Sequence, residues 1–182
     1  SRYKHNISAA RNQAFKKSNG QIITFLDVDD YWDIDKLQKQ VEIFKNNPSM
    51  KLVYSNYEVF NQTKKTKRKA FSSLPSGEIM QDLINHYCVG LLTLAITRNV
   101  FMEFNGFEEK FHIIGDFDLV LKIAHKYEVY AIQKSLATYR LHTTNESNTK
   151  RELRCDEMND WLKSKIVTEN SRKFFFDNMY ND

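Results

Sequence analysis

Hydrophobic residues recur along the chain with two different spacings, which predict an alternation of helices and strands. Spacings of three and four residues predict helices over 6–17, 33–46 and 116–126, with shorter helical segments over 78–86 and 99–104. Short apolar runs rich in β-branched residues predict strands over 21–26, 51–60, 91–97, 129–132 and 135–141. The alternation favours an α/β sandwich of helix, sheet and helix layers around a mixed, mainly parallel sheet.

Two helical segments raise specific expectations about burial. The helix over 33–46 carries Ile34, Leu37, Val41 and Phe44 at helical spacing, so we expect these residues to form its apolar face. From Arg151 onward the sequence is mostly helical in character and includes Trp161 and the run Phe174 to Phe176. We expect these aromatic residues to pack in the core, and docking on a membrane or a partner is the alternative.

The composition excludes several classes of protein. The chain has 182 residues, 41% of them hydrophobic, which suits one folded domain rather than a disordered chain. No apolar run approaches the roughly 18 residues needed to cross a bilayer, and the first residues lack the features of a secretory signal. Cys88 and Cys155 lie far apart, so neither a disulfide framework nor a cysteine zinc site is indicated, and we expect a cytoplasmic location.

The positive charge is modest overall and dense in one place. A formal charge of +4, with basic residues scattered among acids, does not indicate a nucleic-acid-binding protein. The exception is the segment 64–69, which reads Lys-Lys-Thr-Lys-Arg-Lys. A solvated hairpin loop is the favoured interpretation of this segment, and attraction to anionic lipid or phosphate is the alternative.

Three carboxylates follow the predicted strand over 21–26. Asp27 and Asp29 project to the same side of an extended segment, so they could converge on one metal ion while Val28 points into the core. Ligands bind outside the carboxyl ends of strands in open α/β sheets, and carboxylate oxygens suit Mg²⁺ or Mn²⁺. Asp30 is assigned to capping or orienting. A purely structural turn and helix cap is the alternative, but it does not require so many acids.

Several stretches, in order and spacing, resemble one enzyme family. They are Asn-Ile-Ser-Ala-Ala-Arg-Asn at 6–12, Gly-Gln-Ile-Ile-Thr-Phe-Leu-Asp-Val-Asp-Asp-Tyr-Trp at 20–32, Lys-Leu-Gln-Lys-Gln-Val at 36–41, Phe-Asn-Gly-Phe-Glu-Glu-Lys-Phe at 104–111 and Gly-Asp-Phe-Asp-Leu-Val-Leu-Lys-Ile-Ala at 115–124. This pattern resembles the central part of the family 2 glycosyltransferases of the GT-A fold, which use nucleotide-diphosphate sugars. The terminal motif of that family resembles Tyr139-Arg140-Leu-His142 with Asn145 and Ser147.

The resemblance assigns roles to individual residues. It implies that Asp29, assisted by Asp27, holds Mn²⁺ or Mg²⁺ on the diphosphate and that His142 approaches the same ion or the diphosphate. Arg11 and Arg140 are then candidates for contacts with the diphosphate or the nucleotide. For Arg11 a structural salt bridge is the alternative, and for His142 the alternative is a solvated strand end.

The resemblance also implies the catalytic base. It places Asp116 as the group that removes the acceptor hydroxyl proton in an inverting transfer. Asp116 and Asp118 cannot share a helix face, so at most one of them faces a cleft. The family usually has an acid where this chain has Gly115, which changes the expected acceptor contact. Tyr31 and Trp32 are expected to line the cleft, with core packing an equal alternative for Trp32.

The implied function is a metal-dependent transfer of a sugar, from a UDP-sugar above all, to a glycan or lipid-linked hydroxyl in envelope polysaccharide synthesis. We expect the transferase core over 1–150 and a helical extension over 151–182, working in the cytoplasm or at the inner face of the membrane. The match begins in the middle of the family's fold. We therefore expect a chain without the N-terminal nucleotide-binding strands, whose open sheet edge favours self-association.

Two rival functions follow from the same residues. A chain without one wall of its nucleotide pocket could bind a nucleotide sugar or a partner without turnover. The sequence Phe-Leu-Asp-Val-Asp over 25–29 also resembles the strand end of haloacid-dehalogenase-type phosphatases, in which the first Asp is a nucleophile. That reading fits poorly, because Asp30-Tyr31 follows in place of the Gly-Thr usual in those enzymes.

Overall fold

The computed structural model describes residues 6–163, which form a mixed sheet flanked by helices. The helices are α1 (Ile7–Lys17), α2 (Lys36–Asn46), α3 (Met80–Asn85), α4 (Arg98–Glu103), α5 (Gly115–Lys126), α6 (Glu146–Thr149) and α7 (Arg151–Lys163), with a 3₁₀ turn at Leu91–Thr93. The strands are β1 (Ile22–Ile23), β2 (Tyr31–Trp32), β3 (Leu52–Asn61), β4 (Thr66–Lys69), β5 (Ala95–Thr97) and β6 (Val129–Leu141). Most predicted elements are confirmed, and β2 is a strand that the sequence pattern did not indicate.

The strand order is β1-β5-β3-β6-β2, with β4 added to β3. The sheet is mixed, as predicted, but the expectation of mainly parallel pairing is wrong for residues 6–163, since β3 and β6 form their one parallel pair. The physical reason is that the chain reverses between β3 and β5, through β4, α3 and the 3₁₀ turn, so that β5 pairs with β3 in the antiparallel direction. The predicted strand over 21–26 is paired only at Ile22 and Ile23, also antiparallel.

β6 is one long strand with an irregularity where the sequence predicted a break. Its register with β3 shifts between Ile132 and Ser135, opposite Ser55 and Asn56. Gln133 stabilises the irregular segment, because its side chain accepts a hydrogen bond from the Leu74 N–H and donates one to the Leu74 carbonyl oxygen, both at 2.9 Å. A second shift precedes the pairing of Glu58 with Thr138.

The main hydrophobic core lies on one face of the sheet. Leu52 and Tyr54 of β3 point into it and meet apolar side chains of α3, α4, α5 and α7. Val53 is buried too but lies outside this cluster, as alternation along a strand requires. α2 contacts β3 but contributes no residue to this cluster, so it is assigned to the same face of the sheet as Val53. Layers of helix, sheet and helix result, as predicted.

α2 packs in a way that its apolar spacing did not predict. Ile34 and Leu37 are exposed, whereas Lys36 and Gln40 are buried. The buried ammonium donates to Gln40 Oε1 at 2.7 Å and lies 4.3 Å from the Trp32 ring centre. Gln40 in turn donates to the Thr93 carbonyl oxygen at 2.7 Å. Since each buried polar group has a partner, the polar face of α2 can pack against the 3₁₀ turn and β5.

The basic segment forms a hairpin, as predicted, although its second half is strand β4 rather than loop. We call residues 61–69 the basic hairpin. Lys65 forms its turn with a positive φ of 55°, and β4 pairs with the second half of β3. The five basic side chains of the hairpin are exposed.

α7 is integrated into the core. Trp161 and Leu162 are buried in the main cluster, which confirms core packing for Trp161. The run Phe174 to Phe176 lies outside the described residues. No helix within 6–163 has both the length and the apolar character that a membrane span requires.

Candidate active site

Helix α1 is fastened to the loop that leads into α5. Asn12 makes a reciprocal pair with Phe107, donating to its carbonyl oxygen at 2.8 Å and accepting from its N–H at 2.9 Å. Ser8 donates to the Phe111 carbonyl oxygen at 2.6 Å. These contacts join the Ala-Arg-Asn helix and the loop over 104–111, which are far apart in sequence, into one wall of a cleft.

Gly115, the first residue of α5, is packed directly against α1. A β-carbon at this position would overlap Ser8 Oγ. The close packing of α1 against α5 therefore explains why this chain has glycine at position 115 and not the acid that is usual in the family.

A cleft of about 560 Å³ opens at the carboxyl ends of β3 and β6. Four of the six residues to which the resemblance assigns a catalytic, binding or metal role line it together: Arg11, Asp27, Asp29 and Asp116. The wall is completed by residues from several elements, among them Tyr57, Gly90, His112, Tyr139, Glu146 and Ser147. The cleft thus gathers carboxylates, an arginine and aromatic rings in one space.

Arg11 and Asp27 form an ion pair at the cleft wall. The guanidinium donates to both carboxylate oxygens of Asp27, at 2.8 and 3.0 Å. The arginine side chain is largely buried and the carboxylate is half exposed. The salt bridge given as the alternative role of Arg11 is therefore present, and it is made to a residue of the Asp-x-Asp sequence.

Asp29 and His142 form the second pair. Asp29 Oδ2 lies 2.8 Å from His142 Nε2, and His142 Nδ1 lies 2.9 Å from the Thr144 hydroxyl. Asn145 accepts from the His142 backbone N–H at 2.6 Å, which fixes the turn after β6. His142 is thus held beside Asp29 rather than left as a solvated strand end.

Arg140 and Asp30 hold the acidic loop against β6. Arg140 Nε donates to the Asp29 carbonyl oxygen at 2.8 Å, and the Arg140 backbone N–H donates to Asp30 at 2.9 Å. Burial raises the pKa of Asp30 to about 6, with the charges of Asp29 and Asp27 adding to the rise. Asp30 therefore orients the loop, as predicted, and Arg140 is not among the cleft-lining residues.

Two predictions about side chains near this loop are wrong: the burial of Val28 and the position of Tyr31 in the cleft wall. Val28 does not point into the core; it is fully exposed and lines the cleft, because Val28 and Asp29 form a turn that is closed by the hydrogen bond from the Asp30 N–H to the Asp27 carbonyl oxygen. Trp32 packs on Lys36 and donates to the Leu92 carbonyl oxygen at 2.8 Å, in line with the core-packing alternative. Tyr31 is exposed, beside Arg140, and does not line the cleft.

Asp116 and Asp118 point to different surroundings, as their spacing predicted. Asp116 lines the cleft, and burial raises the pKa of its carboxyl group, against the opposing effect of the Arg11 charge. Asp118 is buried on the other side, where it accepts from Lys122 Nζ at 2.6 Å and from Trp161 Nε1 at 3.1 Å. A carboxylate of raised pKa in a cleft is suited to taking up a proton.

The predicted metal ligands come together only in part. Within residues 6–163 no three His, Cys, Asp or Glu side chains converge closely enough to hold one ion. Asp29 and His142 are adjacent, and their oxygen and nitrogen donors fit one edge of the coordination sphere of Mn²⁺ or Mg²⁺. Asp27 is engaged with Arg11 instead.

Sequence analysis missed one residue that supports the site. Glu157 of α7 is buried and accepts hydrogen bonds from the backbone N–H groups of His112 (2.6 Å), Ile113 (2.8 Å) and Ile114 (3.1 Å). These donors immediately precede α5. A signal existed, since Glu157 lies four residues before Trp161 and therefore on the same face of the helix.

The comparisons with known proteins agree with this arrangement. The sequence model described as "Glycosyltransferase like family 2" matches residues 2–154. The chain belongs to this family. The match covers the acidic loop, α5 and the His142 turn, and it decides between the transferase and the phosphatase interpretations.

Two relatives with curated names are about 30% identical to this chain. One is the Escherichia coli UDP-Glc:alpha-D-GlcNAc-diphosphoundecaprenol beta-1,3-glucosyltransferase WfgD, with 30% identity over 81% of this chain and 56% of the relative. Another, from Bacillus subtilis, is named for teichuronic acid biosynthesis, TuaG, with 31% identity over 79% and 56%. The chain therefore spans about half the length of these relatives.

Solved structures show the same fold. The structure of residues 1–349 of S. aureus TarS superposes with a TM-score of 0.60 at 13% identity, over 97% of this chain and 53% of TarS 1–349. The predicted α/β fold of the GT-A type is thereby confirmed. The family match, the named relatives and the shared fold agree with the predicted glycosyltransferase class.

Proposed function

We propose that this family 2 domain transfers a sugar from a nucleotide-diphosphate donor, UDP-sugar above all, to a hydroxyl of a glycan or lipid-linked acceptor with inversion at the anomeric carbon. The observation that supports the proposal is the placement of Asp27, Asp29 and Asp116 around one cleft. The printed name of WfgD, which specifies a UDP-glucose donor and a diphosphoundecaprenol acceptor, favours the same substrate classes.

Asp116 acts as the general base in this proposal. The acceptor oxygen forms a bond to the anomeric carbon while the bond from that carbon to the diphosphate breaks, and the acceptor proton passes to Asp116. Burial raises the pKa of Asp116, which increases its affinity for that proton. Asp118, fastened to Lys122 and Trp161, takes no part in the transfer.

Asp29 and His142 are the proposed protein ligands for Mn²⁺ or Mg²⁺, with Asp27 as a ligand only when Arg11 releases it. A divalent ion bound there supplies positive charge to the departing diphosphate. When Asp27 binds the ion, Arg11 loses its carboxylate partner, and its guanidinium would then contact the diphosphate. Arg140 positions Asp29 through its carbonyl oxygen and is a supporting residue in this scheme.

Calorimetric titration with UDP, GDP and CMP, each with and without Mn²⁺, tests the donor site. We expect one diphosphate to bind only with metal, and Asp29→Asn to weaken that binding at least tenfold. Asp156→Asn, which changes an exposed acid of α7, is the matched control and should bind like the parent chain. Equal binding by Asp29→Asn, or binding without metal, contradicts the proposal.

An assay of sugar transfer separates the transferase from a domain that binds the nucleotide sugar without turnover. Transfer by the parent chain, lost in Asp116→Asn while nucleotide binding is kept, supports catalysis. Nucleotide binding with no transfer from any sugar donor supports the non-catalytic alternative.

A further inference from the structure

The basic hairpin carries positive charge that the fold around it leaves largely unpaired. Its cationic side chains are Lys64, Lys65, Lys67, Arg68 and Lys69, and all are exposed. Among the described residues, one ion pair is formed by this group, between Lys67 and Glu58. Lysine on an edge strand discourages pairing with another chain, but that need is met by one or two residues and does not explain five.

The hairpin lies near the carboxyl ends of β3 and β6, where the cleft opens. Because β3 and β6 are parallel, their carboxyl ends meet at one edge, with Val59 of β3 opposite Tyr139 of β6. On its other side Val59 faces Arg68 of β4. Tyr57 and Tyr139 line the cleft. Side chains alternate along a strand, so Arg68 projects from the same face of the sheet as these two tyrosines.

The charge of Arg68 also acts on Tyr57, which lines the cleft. Burial is the main cause of the raised pKa of Tyr57, and the positive charge of Arg68 opposes that rise. Lys67 and Lys69 alternate to the other face, and Lys64 and Lys65 extend from the turn. The hairpin therefore presents exposed cations in several directions beside the carboxyl end of β3.

We propose that the basic hairpin docks the protein on a bilayer surface rich in anionic phospholipid, with the cleft opening beside that surface. The inference rests on the proposed function, because a lipid-linked acceptor keeps its diphosphate at such a surface. The partner follows from charge complementarity: an anionic leaflet attracts clustered Lys and Arg, each of which strengthens binding roughly fivefold. Five such residues beside the cleft bring the active site to its acceptor.

Sedimentation of the whole chain with lipid vesicles tests this proposal. The vesicles contain phosphatidylcholine alone or equal parts of phosphatidylcholine and phosphatidylglycerol, at about 0.1 M salt, where the Debye length is about 10 Å. The hairpin variant carries K64Q, K65Q, K67Q, R68Q and K69Q. We expect the parent chain to bind only the anionic vesicles and the hairpin variant to bind them at least 100-fold more weakly.

A matched control removes the same number of positive charges from the opposite end of the sheet, where β3 and β6 begin. It carries K16Q, K17Q, K45Q, K51Q and K126Q, which lie at the ends of α1, α2 and α5 or just before β3. We expect it to lose less than tenfold in binding. Equal losses in the two variants would mean attraction to net charge alone and would overturn the proposal, as would a parent chain that ignores anionic vesicles.

Two further measurements keep the test decisive. A smaller variant, K64Q and K65Q, changes only the turn outside β4, so it cannot disturb strand pairing, and we expect binding to weaken roughly 25-fold from the per-residue effect. UDP titration of the same samples separates this inference from the proposed function. Vesicle binding without UDP binding would refute the donor site and leave the docking surface standing, and the reverse result would refute the docking surface alone.

Discussion

Ser8 of α1 occupies the space that a side chain at position 115 would need. Its hydroxyl group donates to the Phe111 carbonyl oxygen, and its position against the start of α5 leaves room only for glycine. Position 115 is therefore fixed by helix packing, and a larger residue there forces α1 and α5 apart.

Gly115→Ala should destabilise the protein by about 1–3 kcal/mol, since the new methyl group overlaps Ser8 Oγ. The double variant Ser8→Ala with Gly115→Ala removes the overlapping oxygen and should regain most of that loss. Urea unfolding of the parent, both single variants and the double variant measures the coupling. Strictly additive effects would show that the two positions do not interact.

Glu157→Gln should destabilise the protein by roughly 2–4 kcal/mol, because a buried carboxylate that accepts three backbone N–H groups is replaced by an amide that brings its own donor. The change should also lower the rate of transfer, since these N–H groups precede the helix that carries Asp116. Glu152→Gln, at an exposed position of α7, is the control and should shift stability by less than about 0.5 kcal/mol. Thermal unfolding that does not distinguish the two variants would contradict the role of Glu157.

Asp116→Asn should reduce kcat by roughly 10²–10⁴-fold, the usual contribution of a general base. In the parent protein kcat should rise with pH through a pKa above the ordinary aspartate range, because burial raises that pKa and only the ionised form accepts a proton. Asp116→Asn should remove this rise. The variant should be no less stable than the parent at neutral pH, since a buried charge is lost. A pH profile that survives the substitution would assign the base elsewhere.

The buried Lys36 predicts that stability rises with pH above neutrality. Burial lowers the pKa of its ammonium from 10.5 to about 7 in the folded protein. Between these values the unfolded chain binds more protons, so the free energy of unfolding increases with pH. From pH 7 to 9.5 the parent should gain up to about 3 kcal/mol relative to Lys36→Met, which has no titrating group. Urea unfolding at both pH values tests this, and parallel behaviour of parent and variant would mean that Lys36 keeps its proton.

Local patterns predicted elements well where burial alone decided the structure. The helical spacing of Leu119, Val120 and Ile123 marked α5 because that face is buried in the main core. The break expected before Ser135 corresponds to the irregular pairing of β6. The convergence of Arg11, Asp27, Asp29 and Asp116 followed from the family resemblance and from the rule that ligands bind at the carboxyl ends of strands.

Predictions failed where tertiary contacts overruled the local pattern. In α2 the hydrogen bonds and ring contact of Lys36 make a polar face the buried one, which apolar spacing cannot indicate. Val28 was placed in the core by strand alternation, but the acidic residues sit in a turn to which that rule does not apply. The support of α5 by Glu157 depends on a contact across more than forty residues, which local patterns do not record.

The irregular register of β6 makes the active site sensitive to chain length. Six steps along β6, from Ile132 to Thr138, span three steps along β3, from Ser55 to Glu58. Removing one residue from that stretch would turn every later side chain to the opposite face, so that Tyr139 would leave the cleft. A substitution in this stretch keeps the register, whereas a deletion would rebuild the site.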